Sequence, residues 1–352
     1  MSPAAPLPAA EPLAPQPVVG LPSPFLVFLG EVTTVPLAKT AFGVRDWRGD
    51  DVVGQARLPG CGVDLGVDEL TPAQAAARGA RALLIGVAPI GGGIPPTWIP
   101  SLLAALEAGL DLISGLHARL RDIPAVREAA ARLGRRLYDV RHADQAFPIA
   151  TGARRSGRRL LTVGTDCALG KKYAALAIAQ ALRARGVDAD FRATGQTGIM
   201  IAGQGVAIDA VVADFVAGAA ETLSPDAAPD HWDVIEGQGS LFHPAYAGVS
   251  LGLLHGSQPD ALVVCHDPTR TTLHAYPGFP VVSLAEAIAR NAEAARLTNP
   301  AARVVGISLN TASLDEASAR AAADEIGAAH GVPCFDPLRF GLDALLDRML
   351  AP

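Results

Sequence analysis

The chain has 352 residues, of which 50% are apolar and 18% are charged, and its formal net charge is −6. This length fits two domains of roughly 150 residues, each able to bury a core. Nucleic-acid binding is not expected, because neutralising phosphate backbones needs clustered Lys and Arg in excess. No apolar run reaches the roughly 20 residues that span a bilayer, so no membrane segment is expected. The four cysteines lie far apart without a C-x-x-C pair, which predicts a reducing, cytoplasmic setting and no metal site.

The first 24 residues are rich in Pro and Ala and carry no basic residue. A signal peptide would begin with positive charge, so none is expected. The composition predicts a disordered or polyproline-like tail over residues 1–24.

Residues 25–147 alternate short apolar runs with helical patterns. Strands are predicted at 25–31, 81–89, 110–117 and 135–140, and helices at 72–80, 98–109 and 124–134. This alternation predicts a parallel, right-handed α/β sheet and therefore a Rossmann-like domain. We place its boundary in the turn-rich segment 142–157, between residues 147 and 148.

Residues 148–352 repeat the alternation. Strands are predicted at 158–164, 187–195, 231–237, 259–267, 303–310 and 333–336, and helices at 171–185, 207–222, 283–296, 313–329 and 341–350. The fold class is therefore α/β, with two doubly wound parallel-sheet domains.

The segment from residue 160 to residue 182 carries the strongest motif of the chain. An apolar strand runs into Gly164, a short loop leads to Gly170 and Lys171, and an amphipathic helix follows. Glycines let backbone N–H groups turn towards an anion, and the helix N-terminus adds partial positive charge. The sequence predicts a phosphate-binding loop and a C-terminal domain of the P-loop NTPase type. Its ligand-binding residues are Gly164, Thr165, Asp166, Cys167, Ala168, Leu169, Gly170, Lys171, Lys172 and Tyr173.

Lysine is rare in this arginine-rich chain. Only Lys39, Lys171 and Lys172 occur among 29 basic residues. We interpret them as candidates for a role that needs a compact ammonium on a flexible stem, which arginine cannot supply.

The wide G-T-D-x-x-x-G-K loop resembles that of dethiobiotin synthetase and its P-loop relatives. DVIEGQGS (233–240) and GISLNT (306–311) are similar to two further strand ends of that superfamily, and the second implies that Asn310 contacts a nucleotide base. Those enzymes place Thr after the lysine to hold Mg²⁺, whereas this chain has Lys172. An ammonium there suits phosphates that are held rather than transferred, such as those of coenzyme A.

A denser resemblance covers the whole folded chain. It includes GEVTTVPLAKTAFGV (30–44), RLPGCGVDLGV (57–67), DFRATGQTGIMIAGQG (190–205) and HWDVIEGQGSLFHPAYAG (231–248). These segments are similar to the D-glutamate N-acetyltransferase family of the DgcN type, long a domain of unknown function. The resemblance implies acetyl transfer from acetyl-CoA to the amine of a D-amino acid, most simply D-glutamate.

Acyl transfer to an amine needs a base and donors for the thioester oxyanion. Glu236 or His243 would serve as the base, with Asp214, in the predicted helix 207–222, as a further candidate. Ser240 or N–H groups of the 237–240 turn would stabilise the oxyanion. Each of these side chains would otherwise have a structural role, as an ion pair, a cap or a support of the phosphate loop.

Residues at strand ends are predicted to bind the amino-acid substrate. Two arginines would hold its carboxylates unless they form structural ion pairs. The glycine-rich segment after residue 192, predicted to be a loop, and the turn after Glu236 permit close approach of a ligand. The predicted substrate-binding residues are Arg192, Thr194, Gln196, Thr197, Gln238 and Arg270.

The sequence also fits other functions. An ATP- and Mg²⁺-dependent ligase or kinase would use Thr165, Asp166 and Glu236 around the metal. A non-enzymatic nucleotide sensor would bind ligand without turnover. An acyl-enzyme on Cys167 is conceivable, although direct transfer needs no nucleophile. Large α/β chains with a site between domains often associate, so a homo-oligomer is expected.

Overall fold

A computed structural model describes residues 20–89, 91–142 and 146–351. Most of the predicted tail, residues 1–19, lies outside the described residues, as does Ile90 in the glycine-rich loop after the second predicted strand. Within the described residues, no helix has the length and apolar composition that crossing a bilayer requires.

The N-terminal domain is built on a five-stranded parallel sheet of order β2-β1-β3-β4-β5. Its strands are β1 (Phe25–Gly30), β2 (Val52–Arg57), β3 (Ala82–Ile85), β4 (Asp111–Ser114) and β5 (Leu137–Asp139). Its helices are α1 (Lys39–Trp47), α2 (Pro72–Ala77), α3 (Ile99–Glu107) and α4 (Pro124–Leu133). Every residue of β1 and β3 is buried, as expected for central strands covered by helices on both faces.

The C-terminal domain is built on a six-stranded parallel sheet of order β13-β12-β9-β6-β8-β7. Its strands are β6 (Arg158–Gly164), β7 (Ala189–Arg192), β8 (Trp232–Ile235), β9 (Ala261–His266), β12 (Arg303–Leu309) and β13 (Cys334–Phe335), and β10 (Thr272–Leu273) with β11 (Tyr276–Pro280) forms an antiparallel hairpin. Its helices are α5 (Lys171–Ala184), α6 (Gln196–Ala202), α7 (Val216–Leu223), α8 (Ala247–Ser257), α9 (Leu284–Arg296), α10 (Glu316–His330) and α11 (Asp343–Leu350). The predicted fold class, two doubly wound α/β domains, is confirmed.

Two segments differ from their predicted structure. The segment predicted as one helix over 207–222 is two short 3-10 turns followed by α7, because the backbone of the β-branched residue Val211 is extended. The segment predicted as a glycine-rich loop after residue 195 forms α6 instead. Its residues Ile199, Met200 and Ile201 are buried, and this packing stabilises the helix despite its glycine.

The two domains share a packed interface. Met200 and Ile201 of α6, together with Leu176 of α5, belong to the hydrophobic core of the N-terminal domain. The hydroxyls of Thr40 in α1 and Thr197 in α6 are 2.8 Å apart in this buried contact. The interface therefore fixes α6 against α1 and brings the carboxyl ends of both sheets to one cleft.

An ionic network lies where β8 begins. The carboxylate of Asp233 is 2% exposed and accepts hydrogen bonds from Arg192, His231 and Ser224. The other ring nitrogen of His231 is 2.8 Å from the carboxylate of Asp188. Both ring nitrogens face carboxylates, so both can donate only when the ring is protonated. Burial lowers the pKa of His231, but the two carboxylates outweigh it and the pKa is raised overall.

This network makes stability depend on pH. The raised pKa means that His231 contributes stability below its unfolded pKa of about 6.5 and loses it as pH rises through the higher folded value. We expect the free energy of unfolding, measured by urea titration, to fall more steeply above pH 6.5 in the natural chain than in His231→Asn. His274→Asn, at an exposed position, is the matched control and should keep the natural slope. Equal slopes for His231→Asn and the natural chain would contradict this account.

Candidate active site between the two domains

A cavity of about 780 Å³ lies between the domains, at the carboxyl ends of both sheets. This is where parallel α/β sheets bind ligands. The N-terminal domain contributes to its wall Val35, Lys39, Phe42, His117 and Arg141. The C-terminal domain contributes residues from the loops after β6, β7 and β8: 167–173, 195–197 and 236–239, with Asp209, Ala245, Tyr246 and Val249.

The predicted phosphate loop forms one wall of this cavity. Gly170, with φ of +95°, turns the chain into α5 in a conformation that side chains disfavour. The N-cap residue Gly170 has no side chain to cap α5, and no side chain among the described residues accepts from the N–H groups of its first turn, which begins at the cavity wall. Lys171 is 7% exposed, and its Nζ donates to the carbonyl of Asp166 at 2.7 Å across the loop. Burial lowers the pKa of Lys171.

Asp166 and Arg270 hold the shape of this loop. Asp166 is fully buried and accepts from the N–H of Cys167, the N–H of His274 and the guanidinium of Arg270, which is 2.9 Å away. Arg270 also donates to the carbonyl of Cys167 at 2.7 Å. Arg270 was predicted to hold a substrate carboxylate or to form a structural ion pair. It forms the ion pair, with Asp166, and it does not line the cavity.

Glu236 follows β8 and lines the cavity while only 5% exposed. Its Oε2 accepts from the N–H groups of Thr194 at 3.0 Å and Gly195 at 3.2 Å, where α6 begins. The described residues make no hydrogen bond to Oε1. A side chain at Gly198 would collide with this carboxylate, so glycine in α6 leaves room for it. Burial raises the pKa of Glu236 to about 7, although the Lys172 ammonium and the two N–H donors oppose the rise.

All three lysines of the chain line this cavity. Lys172 lies with its Nζ 4.9 Å from the ring centre of Tyr173 and close to Gly43 of α1. Burial lowers the pKa of Lys172 to about 8, opposed by the charges of Glu236 and Asp46. The ammonium of Lys172, the residue after the loop lysine Lys171, therefore lies at the cavity where the two domains meet.

Cys167 also lines the cavity, but its environment disfavours a thiolate. Burial raises the pKa of the Cys167 thiol, and the nearby Lys171 only partly offsets this effect. Its Sγ, a ring nitrogen of His243 and a carboxylate oxygen of Asp166 lie within 4.8 Å of one another. An acyl-cysteine route gains no support from this arrangement, because nucleophilic cysteines need a depressed pKa.

Of the other predicted site residues, the structure brings Ala168, Leu169, Tyr173, Gln196, Thr197 and Gln238 into the cavity wall. Three more lie directly behind it. Thr194 donates its hydroxyl to the carbonyl of Glu236 at 2.6 Å, and Ser240 donates to that of Gly164 at 2.9 Å. His243 is buried, stacked on Tyr246 with ring centres 4.6 Å apart. These contacts indicate that the three residues support the site.

Four predicted residues lie elsewhere. Thr165 is fully buried, its hydroxyl 3.0 Å from Nδ1 of His266. Arg192 forms ion pairs with Asp190 and Asp233. Asp214, predicted inside an apolar helix, is exposed in the 3-10 turn Ala213–Phe215. Asn310 follows β12, and its Oδ1 accepts from the N–H of Ala312. None of the four lines the cavity.

Sequence reasoning did not select His117, Arg141 or Asp209 for this site. His117 follows β4 and Arg141 follows β5, so their positions at strand ends of the N-terminal domain were the signal that could have found them. Arg141 is 6% exposed and pairs with Asp209 of the C-terminal domain. This ion pair crosses the cleft and lies in the cavity wall.

Comparison with known proteins agrees with this architecture. Residues 56–143 match a Rossmann-like domain of unknown function, DUF1611_N, and residues 148–346 match its P-loop partner, DUF1611_C. The structure of a DUF1611 family protein from Anabaena variabilis is similar to this one, with a TM-score of 0.83 and 36% identity, over 93% of this chain and 99% of that protein.

Two curated relatives match nearly the whole chain. A D-glutamate N-acetyltransferase from Tritonibacter scottomollicae is 50% identical over 94% of this chain and 99% of its own length. A D-glutamate N-acetyltransferase from Pseudoalteromonas sp. is 46% identical over 93% of this chain and 98% of its own length. The chain therefore belongs to the DUF1611 family, which couples an N-terminal Rossmann-like domain to a C-terminal P-loop domain.

Proposed function

We propose that this protein is an N-acetyltransferase that moves the acetyl group of acetyl-CoA to the amine of D-glutamate. The observation that carries the proposal is the 46–50% identity, over almost the whole chain, with two D-glutamate N-acetyltransferases. Identity over both domains matters here, because the cavity is lined by residues from each of them.

The phosphate loop suits the donor. Coenzyme A carries a pyrophosphate and a 3′-phosphate, and the uncapped start of α5 supplies N–H groups and partial positive charge for such anions. Lys172 adds an ammonium where P-loop phosphotransferases use a hydroxyl to hold Mg²⁺. The loop therefore favours phosphates that are bound and kept over phosphates that are transferred.

Glu236 suits the role of general base. A carboxyl with a pKa of about 7 is partly ionised at neutral pH and is a stronger base than an ordinary glutamate. The acceptor amine attacks the thioester carbonyl, so the C–N bond forms and the C–S bond breaks. Oε1 of Glu236 receives the amine proton, and the protonated carboxyl can return it to the departing sulfur.

The first test is thiol release from acetyl-CoA with D-glutamate, L-glutamate or no acceptor, each with and without Mg·ATP. We expect release that requires D-glutamate and is independent of ATP. Formation of ADP, with thiol release only when ATP is present, would contradict the proposal and favour a ligase or kinase.

Substitution of the base tests its role. We expect Glu236→Gln to lower kcat by roughly 10²- to 10⁴-fold, since the amide cannot accept the amine proton. In the natural chain kcat/KM should rise with pH through about 7, because only the ionised carboxylate accepts a proton. Glu293→Gln, at an exposed position of α9, is the control. A Glu236→Gln variant with the same pH profile and near-normal kcat would exclude Glu236 as the base.

Lys172 should lower the pKa of Glu236 in the working enzyme. Its ammonium lowers the pKa of Glu236, so removal of the charge should raise it further. We expect Lys172→Met to move the rising limb of the kcat/KM profile to higher pH and to raise the KM for acetyl-CoA. An unshifted profile would show that the two groups are not coupled in the working enzyme.

A further inference from the structure

The cavity is richer in positive charge than the donor alone explains. Among the described residues, the side chains of Lys39, Arg141, Lys171 and Lys172 line it, against the carboxylates of Asp209 and Glu236. Lys171 turns inward to the carbonyl of Asp166 and belongs to the phosphate loop. The two remaining cations outside the loop, Lys39 and Arg141, both come from the N-terminal domain, which has no other assigned part in the chemistry.

The contacts of Arg141 fix its guanidinium in one orientation, with one edge directed to a ligand. Its side chain is 7% exposed, its Nε donates to the carbonyl of Gly115 at 3.0 Å, and its Nη1 pairs with Asp209. Its Nη2 makes no hydrogen bond within the described part of the chain. A guanidinium fixed on two of its three nitrogens offers the third in a defined direction, and a carboxylate is the group that this geometry favours.

The acceptor has two carboxylates, and their distances from its amine differ. One carbon separates the amine from the α-carboxylate, so a substrate whose amine meets Glu236 places its α-carboxylate near the same residue. The charge of Lys172 interacts with those of Glu236 and Lys39, and both lysines line the cavity, so these two ammonium groups suit the α-carboxylate. Arg141 instead pairs with Asp209, whose charge also acts on Glu236, and its own charge acts on His117 of the N-terminal domain. Three carbons separate the amine from the side-chain carboxylate, two more than from the α-carboxylate, so the side-chain carboxylate extends further from Glu236 and is the group that we assign to Arg141.

We infer that Arg141 of the N-terminal domain binds the side-chain carboxylate of the acceptor and thereby selects an acidic D-amino acid, with Asp209 as the residue that positions its guanidinium. This inference rests on the proposed function and extends it to the substrate's side chain. It also replaces the sequence-based assignment of carboxylate binding to Arg192 and Arg270. Those two arginines are paired with Asp233 and Asp166 and do not line the cavity.

The test compares D-glutamate with D-glutamine, which is nearly isosteric and lacks the side-chain charge. The readout is the ratio of kcat/KM for the two acceptors, measured by thiol release from acetyl-CoA. We expect Arg141→Gln to lower this ratio by roughly 10- to 100-fold, the loss typical of a charge-assisted hydrogen bond. The KM for acetyl-CoA should change far less. Arg141→Lys, which keeps the charge but not the planar fork, should lose part of the ratio.

The Asp209→Asn variant distinguishes substrate binding by Arg141 from a purely structural role of its ion pair between the domains. It removes the negative charge of the ion pair but keeps a side-chain oxygen that can accept from the guanidinium, so it should retain most of the preference for D-glutamate. Arg132→Gln, at an exposed position of α4, is the control for loss of an arginine. If Arg141→Gln, Arg141→Lys and Asp209→Asn all slow both acceptors equally and keep the ratio, Arg141 is only an interdomain ion-pair partner and the inference is overturned. Absence of D-glutamate-dependent thiol release in the natural chain would instead contradict the proposed function itself.

Discussion

The site depends on a carboxylate that is kept out of water between two domains. Burial of Glu236 costs free energy, and the cost is offset by two backbone N–H donors at the start of α6 and by the ammonium of Lys172 in α5. The balance leaves the pKa of Glu236 near 7 instead of far above or below it. A base of this strength at neutral pH suits acyl transfer to an amine, the role that we propose for Glu236. The proposed role depends on the placement of α5 and α6.

The N-terminal domain controls that placement. Its helix α1 packs on α6, and the hydroxyls of Thr40 and Thr197 meet at 2.8 Å in the contact. Met200 of α6 is fully buried in the core of the N-terminal domain. The same domain that brings Lys39 and Arg141 to the cavity thus also fixes the helix that follows Thr194 and Gly195, whose N–H groups hold Glu236. Separation of the domains would remove Lys39 and Arg141 from the cavity and would also loosen the packing that holds Glu236.

The parts of the site that depend on local sequence were predictable. The loop from Gly164 to Lys171 was identified because its strand, glycines, lysine and helix are contiguous, and the scarcity of lysine pointed to three residues that do share one cavity. Glu236 was found because it ends a strand. The cytoplasmic setting, the homo-oligomer and the catalytic assignments stay predictions.

The parts that depend on packing between distant segments were not predictable. Arg192 and Arg270 have the residue type and strand-end position of ligand contacts, but Asp233 and Asp166 pair with them from more than 40 residues away. Arg141 and Asp209 come from different domains, and nothing near either in the chain reveals the other. The sequence of α6 predicted a loop because its glycine is unfavourable in an isolated helix, and burial of Ile199, Met200 and Ile201 stabilises the helix in the fold.

In the proposed mechanism, donor, acceptor and base meet in the cavity between the domains. A crystal structure of the protein with coenzyme A and D-glutamate would test this arrangement. We expect pyrophosphate density against the loop before α5 and the acceptor nitrogen about 3 Å from Glu236, the reach of a general base. We also expect the acceptor's side-chain carboxylate on Arg141. An acceptor bound outside this cavity, or with its amine directed away from Glu236, would contradict it.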